Sequence, residues 1–169
     1  MKQKKKVYVP MAIDILHNGH LNIIDIARDL GDVTIGLLTD KAIASYKRIP
    51  FIDFATRKSI VRNIKGVKSI VTQDTYDYEP ILRKLKPDYV VHGDDWKTGF
   101  QSQMRKKIIK LLNEWGGELV EPKYTKGISS TALIDELTKN GVTADTRRKS
   151  FNRLLSVKPL VRILEAHNG

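Results

Sequence analysis

The stretch "ILHNGH" (residues 15–20) decides the fold, because it joins a segment with strand character to one with helix character. The preceding "KVYV" (6–9) is rich in β-branched residues, and "NGHLNIIDIARDLG" (18–31) repeats apolar residues with helical spacing. At such a junction, a parallel sheet presents backbone N–H groups and a helix N-terminus to an anion. The stretch therefore predicts an anion-binding turn.

Two histidines stand in this turn. His17 and His20 can each donate a hydrogen bond through a ring nitrogen, and Gly19 lets the backbone approach a ligand closely. Two donors at a helix N-terminus form a clamp for a phosphate group that gains charge. A helix cap beside a surface histidine is the simpler alternative. A zinc site with His92 as the third imidazole is a weaker one.

The chain alternates strand-like and helix-like segments beyond this point. Further strands are predicted at 32–38, 69–71, 88–93 and 118–122, and further helices at 53–66, 79–85, 101–117 and 129–141. The strand segments are continuously apolar, which is typical of parallel strands buried on both faces. The order predicts an α/β fold with a mostly parallel sheet and right-handed crossovers.

Length and composition narrow the class of protein. The chain has 169 residues, a net charge of +11 and no cysteine, so one domain is expected and a disulfide framework is excluded. No apolar stretch has the length of a membrane span, and we expect a cytoplasmic protein without a membrane partner. The charge suits phosphate-rich ligands. An RNA-binding module is an alternative that rests on charge alone, because no aromatic-rich strand motif accompanies it, and we expect no nucleic-acid partner.

Three motifs together carry a family resemblance. "DILHNGH" (14–20) resembles the HxGH signature of the nucleotidyltransferase superfamily, and "KGISST" (126–131) resembles the second signature of that group. "VVHGDDW" (90–96) is similar to the fourth-strand end of cytidylyltransferases that use glycerol 3-phosphate or phosphocholine. The resemblance covers residues 7–139. It implies a Rossmann-like parallel five-stranded sheet of order 3-2-1-4-5 with helices on both faces.

A narrower resemblance concerns the cytidylyltransferase domain fused ahead of phosphoenolpyruvate phosphomutase in phosphonate biosynthesis. It is carried by "GLLTDKAIASYKR" (36–48) and "EWGGELVEPKYTKGISST" (114–131). After a composition break, "RRKSFNRLLSVKPLVRILEAHNG" (147–169) is similar to the opening of a phosphomutase domain. We therefore expect a cytidylyltransferase domain over 1–140, and over 141–169 a linker with the truncated start of a phosphomutase-like domain.

The resemblance implies a reaction and its participants. CMP passes from CTP to a small phosphonate, such as 2-hydroxyethylphosphonate or 2-aminoethylphosphonate, and pyrophosphate is released. Mg²⁺ arrives with the CTP phosphates, and its protein ligands are not identified. A homodimer is expected because relatives are often dimers. The full-length protein is expected to continue into the phosphomutase domain.

Site residues follow from the same resemblance. His17, His20 and Lys47 take catalytic roles, and Asp14, Lys41, Arg57 and Lys65 lie near the acceptor. Nucleotide-binding positions fall at the strand–helix junctions: Met11, Ala12, Ile13, Gly19, His92, Asp94, Trp96, Tyr124, Gly127, Ile128, Ser129, Ser130 and Thr131.

Departures from the family pattern leave alternatives open. Met11 and Ala12 stand where relatives usually carry Gly-Thr, which removes a hydroxyl contact to phosphate. Tyr124 and Lys126 stand where many cytidylyltransferases carry arginine and glutamate. A glycerol 3-phosphate or other phospho-alcohol cytidylyltransferase is one alternative. A degenerate domain that binds nucleotide without turnover is another.

Overall fold

The computed structural model describes residues 4–99, 101–123, 133–134 and 144–162. Its sheet consists of five strands: β1 (Lys6–Met11), β2 (Asp32–Leu38), β3 (Val67–Gln73), β4 (Tyr89–Val91) and β5 (Glu118–Val120). Every pairing is parallel, and the strand order is β3-β2-β1-β4-β5. The predicted α/β Rossmann-like fold and its strand order are confirmed.

Helices surround the sheet. They are α1 (Asn18–Leu30), α2 (Asp40–Ala44), α3 (Phe54–Arg62), α4 (Glu79–Leu85), α5 (Ser102–Asn113) and α6 (Ala144–Val157), with a 3₁₀ turn at Asp94–Trp96. Helix α2 was not predicted, because five residues are too few to show helical periodicity. Helix α6 lies in the segment 141–169, for which a linker and the truncated start of a phosphomutase-like domain are expected. The predicted helix over 129–141 lies outside the described residues except for 133–134, which are helical.

Each face of the sheet has its own apolar core, because successive strand side chains point to opposite faces. On one face, Val7 and Val9 of β1 pack with Ile24 of α1 and Val61 of α3. On the other face, Tyr8 packs in a cluster with residues of α4 and α5: Leu82, Ile108, Leu111 and Leu112. Leu21 has the helical spacing that predicts a shared face of α1 with Ile24 and Ala27, but unlike these two buried residues it is 36% exposed.

The order in which successive strands join the sheet reverses between β1 and β4. Strands β2 and β3 follow on one side of β1, whereas β4 and β5 lie on the other. The connections that leave β1 and β4 therefore diverge to opposite sides, which opens a crevice at the carboxyl ends of these strands. Helix α1 begins at this edge, with His17 as its N-cap.

Gly36 on β2 lies against Tyr8 on β1, so a Cβ atom at Gly36 would overlap the phenol ring and its hydroxyl. Tyr8 is fully buried, and its hydroxyl donates to Gln73 Oε1, which holds the ring in place. We expect Gly36→Ala to lower the free energy of unfolding by about 1–3 kcal/mol because of overpacking. Urea denaturation measures this loss.

The Tyr8→Leu background is the control for this prediction. Leucine removes the overlapping ring atoms, so Gly36→Ala should cost little there. An equal loss in both backgrounds would show that the ring contact is not the cause.

Candidate active site

A pocket of about 720 Å³ opens at the carboxyl ends of β1 and β4, in the crevice described above. Its lining comes from chain segments far apart in sequence. The polar lining residues are His17, His20, Asn22, Asp25, Tyr46, Lys47, Tyr78, His92, Asp95, Gln101 and Lys123. Met11, Ala12 and Gly19 contribute to the wall beside them. The fold thus brings the turn after β1, the loop after α2 and the turn after β4 to one place.

The two histidines use one ring nitrogen each for the backbone. The Gly19 amide donates to His17 Nδ1 at 3.1 Å, and the His17 amide donates to His20 Nδ1 at 3.4 Å. The ring centroids are 3.9 Å apart. Because both Nδ1 atoms accept, the proton of each neutral ring lies on Nε2, which remains available as a donor. Helix capping and ligand binding therefore occupy different atoms of the same side chains.

Burial keeps both rings neutral near pH 7. It lowers the pKa of His17, and it lowers the pKa of His20 to about 3, with further contributions from His17 and the Lys47 ammonium. The histidines are therefore neutral hydrogen-bond donors in the free protein. A bound polyphosphate would favour their charged forms, because an adjacent anion raises the pKa of an imidazole.

Lys47 supplies a positive charge to the pocket. It follows α2, where its amide donates to Ile43 O at 3.0 Å, and its ammonium lies 5.5 Å from the ring centroid of Tyr46. Partial desolvation lowers the pKa of Lys47, while the carboxylate of Asp14 opposes that shift. Although Lys47 as a whole is exposed, protein atoms surround its ammonium closely enough for this effect.

His92 is held by its neighbours in one tautomer. Its Nδ1 donates to Gly93 O at 2.8 Å, so Nε2 carries a lone pair. The ring stacks on Trp96, with centroids 3.7 Å apart. Trp96 is 1% exposed and donates from Nε1 to Glu121 at 2.9 Å. Trp96 therefore supports His92 from the core. It does not line the pocket, whereas a residue in contact with the nucleotide would be expected to do so.

Arg57 and Asp14, both predicted near the acceptor, are buried parts of the pocket's support. The Arg57 guanidinium is fully buried and donates to the carbonyls of Ala12 and Ile52. Asp14 accepts from the Ile52 amide at 3.1 Å and from Arg48 at 3.2 Å. Neither side chain belongs to the pocket lining. Their contacts instead hold the loops that carry Lys47 and Ala12.

Four other predicted residues lie away from the pocket lining. Lys41 is exposed on α2, and Ile13 is buried. Asp95 lines the pocket, whereas its neighbour Asp94 does not. Lys65 precedes β3 and therefore lies at the amino-terminal edge of the sheet, about one strand length or roughly 20 Å from the carboxyl edge. That position gives no support to an acceptor role for Lys65.

The sequence analysis missed some residues of the pocket lining, and other predicted residues lie outside the described ranges. Tyr46, Tyr78 and Asp95 line the pocket but were not predicted to do so. Each follows shortly after the end of a strand or helix, and that position in the sequence is the signal that could have identified them. The predicted nucleotide-binding residues of the second signature lie outside the described residues: Tyr124, Gly127, Ile128, Ser129, Ser130 and Thr131.

The described ranges hold neither a cluster of metal ligands nor a membrane-spanning helix. These ranges contain no group of three or more His, Cys, Asp or Glu side chains suited to holding a metal ion. They therefore offer no protein-built cage for zinc or magnesium. No helix in them is long and apolar enough to cross a bilayer.

The depressed pKa of His20 predicts pH-dependent stability. Between pH 3 and 6.5 the unfolded chain binds a proton at His20 that the folded protein does not, so stability falls as the pH drops below about 6.5. We expect this residue to account for up to about 2 kcal/mol of the loss between pH 7 and pH 5. Urea denaturation at both pH values should show a smaller loss for His20→Asn. Equal losses in the two proteins would contradict the assignment.

Known proteins resemble this chain in sequence and in fold. A family model described as "Cytidylyltransferase-like" matches residues 12–136. The ethanolamine-phosphate cytidylyltransferase of Dictyostelium discoideum is 32% identical over 138 residues, which cover 80% of this chain and 37% of that protein. The bifunctional protein HldE of Streptomyces coelicolor is 32% identical over 124 residues, covering 72% and 26%. The chain thus spans about a third of the length of such relatives.

A structural relative agrees with the fold. The crystal structure of the lipopolysaccharide core biosynthesis protein from Thermoplasma volcanium GSS1 superposes with a TM-score of 0.61 at 20% identity, covering 75% of this chain and all of that one. This similarity supports the fold alone. Because the family model matches well over half of its residues, the chain belongs to the cytidylyltransferase-like family.

Proposed function

We propose that this chain transfers CMP from CTP to a small phosphorylated acceptor and releases pyrophosphate. The observation that carries the proposal is the convergence of two Nε2–H imidazoles, His17 and His20, with the ammonium of Lys47 in one pocket. This set of groups suits two anions that must be brought together. The family match supports the nucleotidyl-transfer class over a basic RNA-binding module.

In the proposed reaction, an acceptor oxygen attacks the α-phosphorus of CTP. A new P–O bond forms there, the bond to the β-phosphate bridging oxygen breaks, and that oxygen leaves with pyrophosphate. The acceptor oxygen is already ionised near neutral pH, so no general base is required. The neutral histidines stabilise the charge that accumulates on the phosphate oxygens, and Lys47 offsets the repulsion between the two anions.

His92 supports the choice of an amino-bearing base. The lone pair on its Nε2 can accept a hydrogen bond from an exocyclic amino group, such as that of cytosine, whereas the carbonyl of uracil offers no proton. Mg²⁺ as the companion of CTP stays a prediction. Its ligands are expected to be mainly phosphate oxygens and water.

The acceptor is proposed to be a small phospho-alcohol with an amino group. The Dictyostelium relative and an Arabidopsis thaliana relative, which is 28% identical, are both named ethanolamine-phosphate cytidylyltransferase. Tyr46, Tyr78 and Asp95 line the pocket beside Lys47, and aromatic faces with a carboxylate suit an ammonium group. A phosphonate, 2-aminoethylphosphonate above all, is the second candidate, supported by the resemblance to the phosphomutase-fused domain.

An acceptor panel tests the proposal. Pyrophosphate release from CTP is measured with phosphoethanolamine, glycerol 3-phosphate, 2-aminoethylphosphonate and 2-hydroxyethylphosphonate. We expect the highest kcat/KM with phosphoethanolamine, because its ammonium meets the aromatic and acidic wall. A preference of about tenfold or more for 2-aminoethylphosphonate would favour the second candidate. If the protein binds CTP but releases no pyrophosphate with any of the acceptors, the domain is degenerate and the proposal is contradicted.

Substitution of His17 separates its two roles. His17→Ala should lower kcat by about 100-fold or more through loss of the Nε2 donor, and should lower stability by about 1 kcal/mol through loss of the cap. Asparagine is a good N-cap residue, so His17→Asn should regain the stability without regaining turnover. Thermal unfolding and pyrophosphate release measure the two effects. Turnover near that of the wild type in either variant would remove the proposed role.

A further inference from the structure

Helix α6 and the residues after it contact the segment that carries Lys47. Arg153 donates from Nη1 to Phe51 O at 3.1 Å and pairs through Nη2 with Asp40 Oδ2 at 2.8 Å. Lys158 donates to Ala44 O. The two carbonyls lie on either side of Lys47 in sequence, at the end of α2 and just before α3. The cations of the C-terminal segment therefore hold both ends of the Lys47 loop, residues 44–52.

The same carboxylate joins α6 to the interior. Asp40 Oδ1 accepts from Arg57 Nη2 at 2.7 Å, and Arg57 is fully buried. Arg57 also donates from Nε to Ile52 O at 3.1 Å, at the far end of the Lys47 loop. Asp40 thus lies between an arginine from α3 and one from α6, with only 15% of its side chain exposed. Charge-assisted bonds are stronger in such a partly dehydrated position than on an open surface.

We propose that α6 is a positioning element of the active site and that Arg153 is its positioning residue for Lys47. This inference rests on the proposed function, in which Lys47 contacts the reacting phosphates. Arg153 does not line the pocket and acts only through the backbone of the Lys47 loop and through Asp40. In this proposal, part of the segment expected to form a linker and the start of a phosphomutase-like domain belongs to the unit that performs the transfer.

The physical reason is the precision that phosphoryl alignment demands. The Lys47 loop lies between two helix ends, α2 before it and α3 after it, and has no strand partner in the sheet. Bonds to its carbonyls restrict the positions that the Lys47 ammonium can take. A displacement of about 1 Å at a reacting group can reduce turnover by about 100-fold.

Three variants of the chain test the proposal. In Arg153→Ala we expect kcat to fall by about 10- to 100-fold with phosphoethanolamine and CTP, while the Kd for CTP changes by less than about twofold. Arg153→Lys keeps a cation that can reach one of the two partners, so it should regain part of the lost kcat. Arg148→Ala is the matched control, because Arg148 lies on the same helix, is 74% exposed and pairs only locally with Asp145. It should behave like the wild type.

Hydrogen exchange supplies a measurement that does not depend on turnover. Amides of residues 44–52 should exchange at least about tenfold faster in Arg153→Ala than in the wild type or in Arg148→Ala, and those of α1 should stay unchanged. If Arg153→Ala fails to fold, Lys158→Ala, which removes only the contact to Ala44, takes its place.

The outcomes separate this inference from the proposed function. Faster exchange in the Lys47 loop together with reduced kcat and partial rescue by lysine supports the positioning role. Unchanged exchange overturns it, whatever happens to kcat, and so does unchanged kcat in an active enzyme. Absence of turnover in the wild type with every acceptor overturns the proposed function, and the positioning role of α6 in catalysis falls with it, while exchange still decides whether α6 restrains the loop.

Discussion

The pairing of β1 with both β2 and β4 is the constraint on which the candidate site depends. Because β1 is hydrogen-bonded on each side, the turn that leaves it must lie beside the turn that leaves β4. The chain runs away from these two strands in opposite directions, so the crevice between them is left open. His17, His20 and His92 meet there even though the segments that form β2 and β3 lie between them in sequence. The central strands β1, β2 and β4 make this arrangement stable, since their residues are largely buried on both faces of the sheet.

In the turn after β1, the two nitrogens of each histidine ring have different roles. Each histidine gives its Nδ1 to a backbone amide and keeps its Nε2–H for a ligand. The same bonds that begin α1 therefore orient both imidazole rings. Burial of the rings makes them neutral, which lowers the cost of leaving two imidazoles 3.9 Å apart without a ligand.

The support of the pocket is built from buried charge. Arg57, Asp40 and Arg153 form a chain of ion pairs between α3, α2 and α6, and Asp14 ties the Lys47 loop to the turn that follows β1. Removing one member of such a chain leaves a buried partner unpaired, which is more costly than the pair itself is worth. This explains why a side chain predicted to bind substrate, such as that of Arg57, can make its hydrogen bonds to other protein groups instead. It also connects the C-terminal helix to the centre of the site.

Local pattern in the sequence determined the succession of strands and helices, the parallel sheet and the helix N-terminus beside His17 and His20, because periodicity and junction chemistry are short-range properties. The assignment of Lys47 to the same site came from the family resemblance. Tertiary structure alone decided which polar groups remain free. The family resemblance implied substrate-binding roles for Arg57 and Trp96, and in the structure these side chains donate to Asp40 and Glu121, which are distant in sequence. Tyr78 and Asp95 entered the pocket, and Lys65 was carried to the opposite edge, because the direction of the chain through the sheet sets the end at which each loop lies. The neutral state of His20 and the packing of α6 likewise depend on burial and on long-range ion pairs, which no local pattern of residues encodes.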